Sequence, residues 1–304
     1  MILDLDGTVD AQSSLAGAAP WTSLRRVALR DLAPRLRLWS RARTIALARA
    51  RIHAALPDGP TLALLGSGDF HHLAVLLMER VREPYTIVHL DNHPDWVRLA
   101  PRWHCGSWVN RALELPQVRR VITLGPCSDD LAHPDLKGGN LPALAAGRIV
   151  LLPWRHPPSR VWRRLADGPG HRYLDGRLIW RNLADGELGD HLDAILSLID
   201  TEAVWLSIDK DVLREADALT NWDQGEMPLA AALRIVAAVG ARRRIVGADL
   251  CGDYSPATHR NWFKRVEARL DQPQRACEDA AMRMRNEAAN REFLVAIERA
   301  TRAC

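Results

Sequence analysis

Lysine is almost missing from this chain: among its 41 basic residues only Lys137, Lys210 and Lys264 are lysines. Arginine stands in for lysine throughout, which reads as a compositional bias, and the net charge of +4 is mild. A nucleic-acid surface needs a clustered basic stripe, and none is evident. Cysteine is scarce as well. The five, at 105, 127, 251, 277 and 304, show neither paired spacing nor a small disulfide framework, so a reducing compartment is expected. No apolar run approaches membrane-spanning length. The opening Met1-Ile-Leu-Asp-Leu-Asp6 turns acidic at once, unlike a secretory signal. These absences predict a soluble cytoplasmic protein with no membrane and no nucleic-acid partner. What remains, 304 residues at 47% hydrophobic and 26% charged, suffices for a substantial globular core.

Short β-rich runs alternate with helical stretches. Thr61–Leu65, Tyr85–Leu90, Arg120–Leu124, Arg148–Leu152, Ala203–Ile208 and Arg244–Ala248 read as strands, with Ile2 to Asp6 a further short one. Leu73–Val81, residues 226–239 and Gln274 to Thr301 read as helices, and Trp21 to Ala55 as two more. The alternation predicts βα units around a mostly parallel, buried sheet. No linker is evident, so residues 1–304 are read as one domain. Residues 153–190 form its least regular part, a hairpin-bearing insertion that either overhangs a site or merely elaborates the surface.

Three runs end in His or Asp side chains: Gly66-Ser-Gly-Asp-Phe-His-His72, His89-Leu-Asp-Asn-His-Pro-Asp95 and Leu206-Ser-Ile-Asp-Lys-Asp211. Strand ends of an open parallel sheet converge on one ligand site. Period-two spacing puts Asp91, His93 and Asp95 on one side of an extended segment, and Asp209 with Asp211 likewise. Ionisable groups directly after buried strands need neutralisation, and metal supplies it. Four carboxylates balance two divalent cations. Carboxylate, imidazole and water donors suit Mn²⁺, with Zn²⁺, Fe²⁺ and Mg²⁺ remaining open. His71 adds an imidazole, with His72 a competing ligand.

In order and spacing these motifs resemble those of the ureohydrolase family, which includes arginase, agmatinase and formiminoglutamase, from about Thr61 to Pro256. The resemblance implies a three-layer α/β/α fold with a mostly parallel central sheet and two manganese ions per subunit. His71, Asp91, Asp95 and Asp209 would hold one ion. Asp91, His93, Asp209 and Asp211 would hold the other. A hydroxide bridging the ions would attack a guanidino, amidino or amide carbon. Asp95 would orient the nucleophile. His104, in Trp103-His-Cys-Gly106, resembles the family's proton shuttle; the other reading packs it beside Trp103 and Trp108. Trp222 and Asp223 would line the pocket. The family's guanidinium-binding Glu aligns with Gly252, and Asp253 stands one residue later as its substitute. A small guanidino or amide substrate, or arginine within a peptide, follows, and related enzymes form homo-oligomers.

Other readings compete. Asp4-Leu-Asp-Gly-Thr-Val9 looks like the nucleophile motif of haloacid dehalogenase-type phosphatases, with Gly125-Pro-Cys-Ser-Asp-Asp130 as a later acidic motif. It leaves Asp91, His93 and Asp95 unused. Deacetylase-like amidohydrolases share the sheet architecture and an Asp/His/Asp metal set. A non-catalytic metal-binding protein is the third alternative.

Overall fold

The computed structural model describes residues 1–12, 15, 25–98, 101–256, 259–273 and 280–302. Its frame is an eight-stranded sheet. In chain order the strands are β1 (Ile2–Asp4), β2 (Arg26–Ala28), β3 (Thr61–Gly66), β4 (Tyr85–Leu90), β5 (Val118–Leu124) and β6 (Ile149–Leu152). A separate small sheet follows, made of β7 (Ser159–Arg160), β8 (His171–Leu174) and β9 (Arg177–Trp180). β10 (Ala203–Asp209) and β11 (Arg244–Cys251) then return to the main sheet. Its spatial order is β2-β1-β3-β11-β10-β4-β5-β6, with every pairing parallel. The chain leaves a gap two strands wide between β3 and β4, and β10 and β11 fill it later. The central strands β3, β11, β10 and β4 therefore end side by side at one edge.

Nine α-helices are described: α1 (Ala33–Leu36), α2 (Ala42–Ala55), α3 (Ala74–Met78), α4 (Trp108–Ala112), α5 (Leu141–Ala145), α6 (Leu188–Ser197), α7 (Leu229–Gly240), α8 (Trp262–Asp271) and α9 (Ala280–Arg302). Apolar residues of α1 to α5 pack on one sheet face, with Ile45, Ile52, Leu76, Trp108 and Leu144 among them. Residues of α6, α7 and α9, such as Ile195, Ile235, Val239, Phe293 and Ile297, pack on the other. The result is a three-layer α/β/α fold with a parallel central sheet. Strand alternation sorts the side chains: Val204, Leu206 and Ile208 of β10 join the α7/α9 side, while Ala203 and Trp205 face α2 to α4. Ser207 and Asp209 continue that second row, as His89 and Asp91 continue the row of Tyr85 and Ile87. Polar groups thus replace apolar ones along one face just as the strands end.

Several elements differ from expectation. Arg26–Ala28 is a strand paired in register with β1, so edge pairing overrides the helix-favouring Arg/Ala composition of that stretch; residues 21–24 lie outside the described part. The expected helix 73–81 is a 3₁₀ turn over Gly68–Leu73 followed by the short α3. Ser67 caps that turn by accepting from the Asp69 amide. The terminal helix runs from Ala280 to Arg302, and 274–279 are outside the described residues. The small antiparallel sheet falls within 153–190. Among the described residues no helix is long and apolar enough to cross a membrane.

Candidate metal centre

The 3₁₀ turn after β3 brings His71 over the sheet, the β4 loop brings Asp91, His93 and Asp95, and the β10 end brings Asp209 and Asp211. All but His93 are nearly or fully buried. His71 carries the most informative geometry. Its Nε2 lies 2.9 Å from Ser207 Oγ, and that hydroxyl donates to Asp249 Oδ1 at 2.9 Å. Ser207 must then accept from His71 Nε2–H, so Nδ1 carries a lone pair in the neutral ring and a proton in the charged one. Burial favours the neutral ring, but Cys251, Asp249, Asp91 and Asp95 raise its pKa well above the ordinary value. Nδ1 is buried without a hydrogen-bond partner, yet stands 3.3 Å from Asp91, 3.4 Å from Asp95 and 3.7 Å from Asp209 oxygens. Among three carboxylates this nitrogen needs positive charge, as a proton in the metal-free chain or as a cation that takes the proton's place. Donors sharing one cation at 2.0–2.3 Å stand about 3–4 Å apart, as these do.

A second group faces it. His93 Nδ1 lies 2.9 Å from Asp211 and 3.6 Å from Asp91. Its Nε2 is 2.7 Å from Asp223 Oδ1, a carboxylate–imidazole arrangement that orients a metal-binding histidine. Asp91 belongs to both clusters of ligand atoms, one with His71, His89 and Asp95 and one with His93 and Asp211; a third joins His71, Asp209 and Cys251. The six predicted ligands therefore come together. His72 does not join them: it is fully buried with neither ring nitrogen partnered.

Each of these carboxylates is held from behind. His89 Nε2 contacts Asp91 Oδ2 at 2.8 Å, and its Nδ1 contacts Thr123 Oγ1 at 3.1 Å. Trp108 Nε1 donates to Asp95 Oδ2 at 2.6 Å, the Asn92 amide to Asp211 Oδ1, and the Cys251 thiol to Asp209 Oδ2 at 3.1 Å. Asp249 takes Trp205 Nε1 at 2.5 Å on its other oxygen. Asp95 holds φ at +46°, a left-handed conformation that costs free energy and clusters at functional sites. Two glycines press on Asp209: a Cβ at Gly68 would lie 2.4 Å from its Oδ2, and one at Gly252 2.3 Å from its Oδ1.

The electrostatics are those of crowded anions. Burial works against ionisation of Asp91, but His89, His71 and His93 hold its carboxyl well below the usual range. The other three move the opposite way. Burial and then the charge of Asp91 raise Asp95 to about 6 and also raise Asp209. Burial, Asp209 and Asp91 push Asp211 well above its ordinary value. Such a cluster favours cations.

The site opens into a cavity of ≈ 1200 Å³ whose walls include Asp91, His93, Asp95, Asp209, Asp211, Trp222 and Asp223. Trp222 donates its indole N–H to Asp69 and meets His93 edge-on. His104 is also on the wall. Its Nδ1 accepts from the Gly106 amide, and its Nε2 pairs with Glu267 of α8. No residue of 153–190 lines this cavity. Nor does Asp253, which corrects the expectation that its carboxylate meets substrate. Asp253 forms a buried ion pair with Lys210, joined by Gln12 and by Asn290 of α9. The reason is alternation: Lys210, between Asp209 and Asp211, points away from their side of the chain and takes Asp253 with it. Lys210→Met is expected to strand the Asp253 charge and cost about 3–5 kcal/mol in urea unfolding. Gly252→Ala is expected to displace Asp209 and to weaken metal binding about tenfold or more by titration calorimetry. Asp4 pairs with Arg30, and Asp6 accepts from Thr8 and Ser67, so neither belongs to the clusters above.

Sequence reasoning missed His89, Cys251, Asp249 and Glu267. Counting back by two from Asp91 and Asp209 reaches His89 and Ser207, so that period was an available signal. Glu267 had none, because α8 is distant in sequence.

No family model matches the sequence. An uncharacterized protein of Thermotoga maritima is 26% identical over 205 residues, covering 67% of this chain and 63% of that protein, so the match spans less than two thirds of the relative. Among solved structures, arginase from Bacillus subtilis superposes with a TM-score of 0.55 at 11% identity, over 96% of this chain and 90% of that one. An agmatine ureohydrolase of Thermoplasma volcanium gives 0.54 at 13%, over 98% and 88%. The proclavaminate amidino hydrolase of Streptomyces clavuligerus gives 0.53 at 16%, over 85% and 70%. At these identities the likeness is one of fold.

Proposed function

We propose that this chain is a hydrolase of linear carbon–nitrogen bonds that works with two divalent cations. The observation that carries the reading is the buried Nδ1 of His71, without a hydrogen-bond partner among three carboxylates, beside a second His/Asp group that shares Asp91. His71, Asp91, Asp95 and Asp209 are assigned to one ion, and Asp91, His93, Asp209 and Asp211 to the other, with Mn²⁺ as the ion that the resemblance implies. Bound cations of this kind acidify water and polarise a trigonal carbon–heteroatom bond.

The chain's own groups do the rest. Trp108 fixes Asp95, whose free oxygen is available to orient water. Asp223 holds His93 in one tautomer. His104, its Nδ1 occupied by the Gly106 amide, keeps a proton between Nε2 and Glu267 at the cavity wall, where a departing amine can take it. Trp222 supplies an aromatic wall. Asp129, Asp130, Glu267 and Asp271 also line the cavity, against Lys137 as its one lysine or arginine among the described residues, which suits a cationic substrate. A guanidino compound, free or as arginine in a peptide, fits that field.

A second reading, hydrolysis of an acylated amine, is favoured by Gly252 and Asp253. The first has no room for a side chain, and the second is engaged by Lys210. Manganese-loaded protein should be given a panel of guanidines and acylated amines, scoring urea, amine and carboxylate release. Urea supports the first reading and carboxylate the second. No product from any member would defeat both.

A further inference from the structure

We propose that Cys251 is a direct ligand of the cation held by His71 and Asp209, making that position a mixed nitrogen–oxygen–sulfur site suited to zinc or another thiophilic ion. The inference rests on the two-cation reading above and specifies one of its ions. Cys251 is the last residue of β11, and alternation turns it, like Asp249, toward the ligands while Ala248 and Leu250 face the opposite core. It is buried, with Sγ 3.1 Å from Asp209 Oδ2. His71, Asp209 and Cys251 each present a ligand atom within 4.8 Å of the others.

The thiol does not stand alone as an indication. His71 Nδ1 is buried, unpartnered and directed at the same group of oxygens. Local geometry also keeps the sulfur in place: Gly252 follows at φ +87°, and a Cβ there would meet both Asp209 Oδ1 and the Lys210 amide. The strand end is thereby pressed against Asp209. As a ligand the thiol is well placed. The S–H bond breaks as the sulfur–metal bond forms, and the proton leaves to solvent with both sulfur electrons staying on the ligand. Thiolate donors select zinc-like ions, whereas oxygen donors suit manganese.

The test is titration of metal-free full-length protein with Co²⁺, followed by absorbance. Thiolate ligation gives an intense near-ultraviolet sulfur-to-cobalt charge-transfer band that nitrogen and oxygen donors do not. The expected result is that band saturating with one equivalent per chain, retained in Cys127→Ser and lost in Cys251→Ser and Cys251→Ala. Zinc should also outcompete manganese by about tenfold more in the wild type than in Cys251→Ser. Should both Cys251 variants fail to fold, X-ray absorption of zinc-loaded wild type decides, with a sulfur neighbour at about 2.3 Å expected. Cobalt bound at two equivalents without the band, or a zinc shell lacking sulfur, would overturn the proposal and leave the two-cation hydrolase standing. Failure to bind any cation would remove both.

Discussion

Asp211→Asn is expected to weaken binding at the His93 ion severely while raising the thermal stability of the metal-free protein. The two effects share one cause. In the metal-free chain burial, and then the neighbouring Asp209 and Asp91, push the Asp211 pKa well above the ordinary value. A neutral amide relieves that crowding. It also keeps the local hydrogen bonds, since its oxygen can still accept from the Asn92 amide and its NH₂ can donate to His93 Nδ1, partners that Asp211 already contacts. For a chain of this size, about 1–2 kcal/mol of relief corresponds to a rise of a few degrees, roughly 2–4 °C per kcal/mol. Metal affinity should fall by about a hundredfold or more, and hydrolysis with it. Calorimetry on the metal-free pair and metal analysis after dialysis check the two halves. A variant both less stable and still metal-replete would show that Asp211 serves the fold. Stability gained at the expense of function is the mark of a strained site.

Removing cations from the wild type should have the second large effect, and its size should depend on pH. At about a thousandfold excess over the dissociation constant, one bound ion stabilises the folded state by about 4 kcal/mol, so loading should raise the melting temperature by about 10 °C. The sign with pH follows from carboxyl groups whose folded-state pKa is raised. Asp95, at about 6 against an ordinary 3.8, keeps its proton in the folded chain between those values while the unfolded chain has lost it. The folded state then binds more protons, so metal-free stability is largest below pH 4 for this group and declines as pH rises through about 6. Asp209 and Asp211 act in the same direction. Cations displace these protons, so stabilisation by metal should grow over the same window. Melting curves with and without chelator from pH 4 to 8 measure it. A gap that stays constant or narrows toward neutral pH would contradict the cluster's electrostatics.

The sheet was legible because each central strand is a mainly apolar run bounded by turn residues. Tyr85–Leu90 coincides with β4, and Ala203–Ile208 falls one residue short of β10. Period two then located the ligands, since side chains after a strand inherit its alternation. Other features depend on distant partners. Arg26–Ala28 is a strand only because β1 lies beside it, and α8 meets the site only because Glu267 reaches His104 and Lys264 donates to the carbonyls of Arg37 and Trp39. Asp253 was misread for a related reason. Sequence places it one residue from a position that matters in the resembling family, but a buried lysine between two ligands, Lys210, claims its carboxylate. Cys251 carries no spacing signal in the sequence, and only the pairing of β10 with β11 sets its sulfur against Asp209.

The most direct measurement is anomalous diffraction from crystals of the metal-loaded protein, collected at the edge of the ion supplied. Two peaks are expected at the carboxyl edge of the sheet, one bounded by His71, Asp95 and Asp209 and the other by His93 and Asp211, with Asp91 between them. An empty map there, with His71 Nδ1 still facing Asp91, Asp95 and Asp209 and no ion among them, would contradict the metal centre and the chemistry assigned to it.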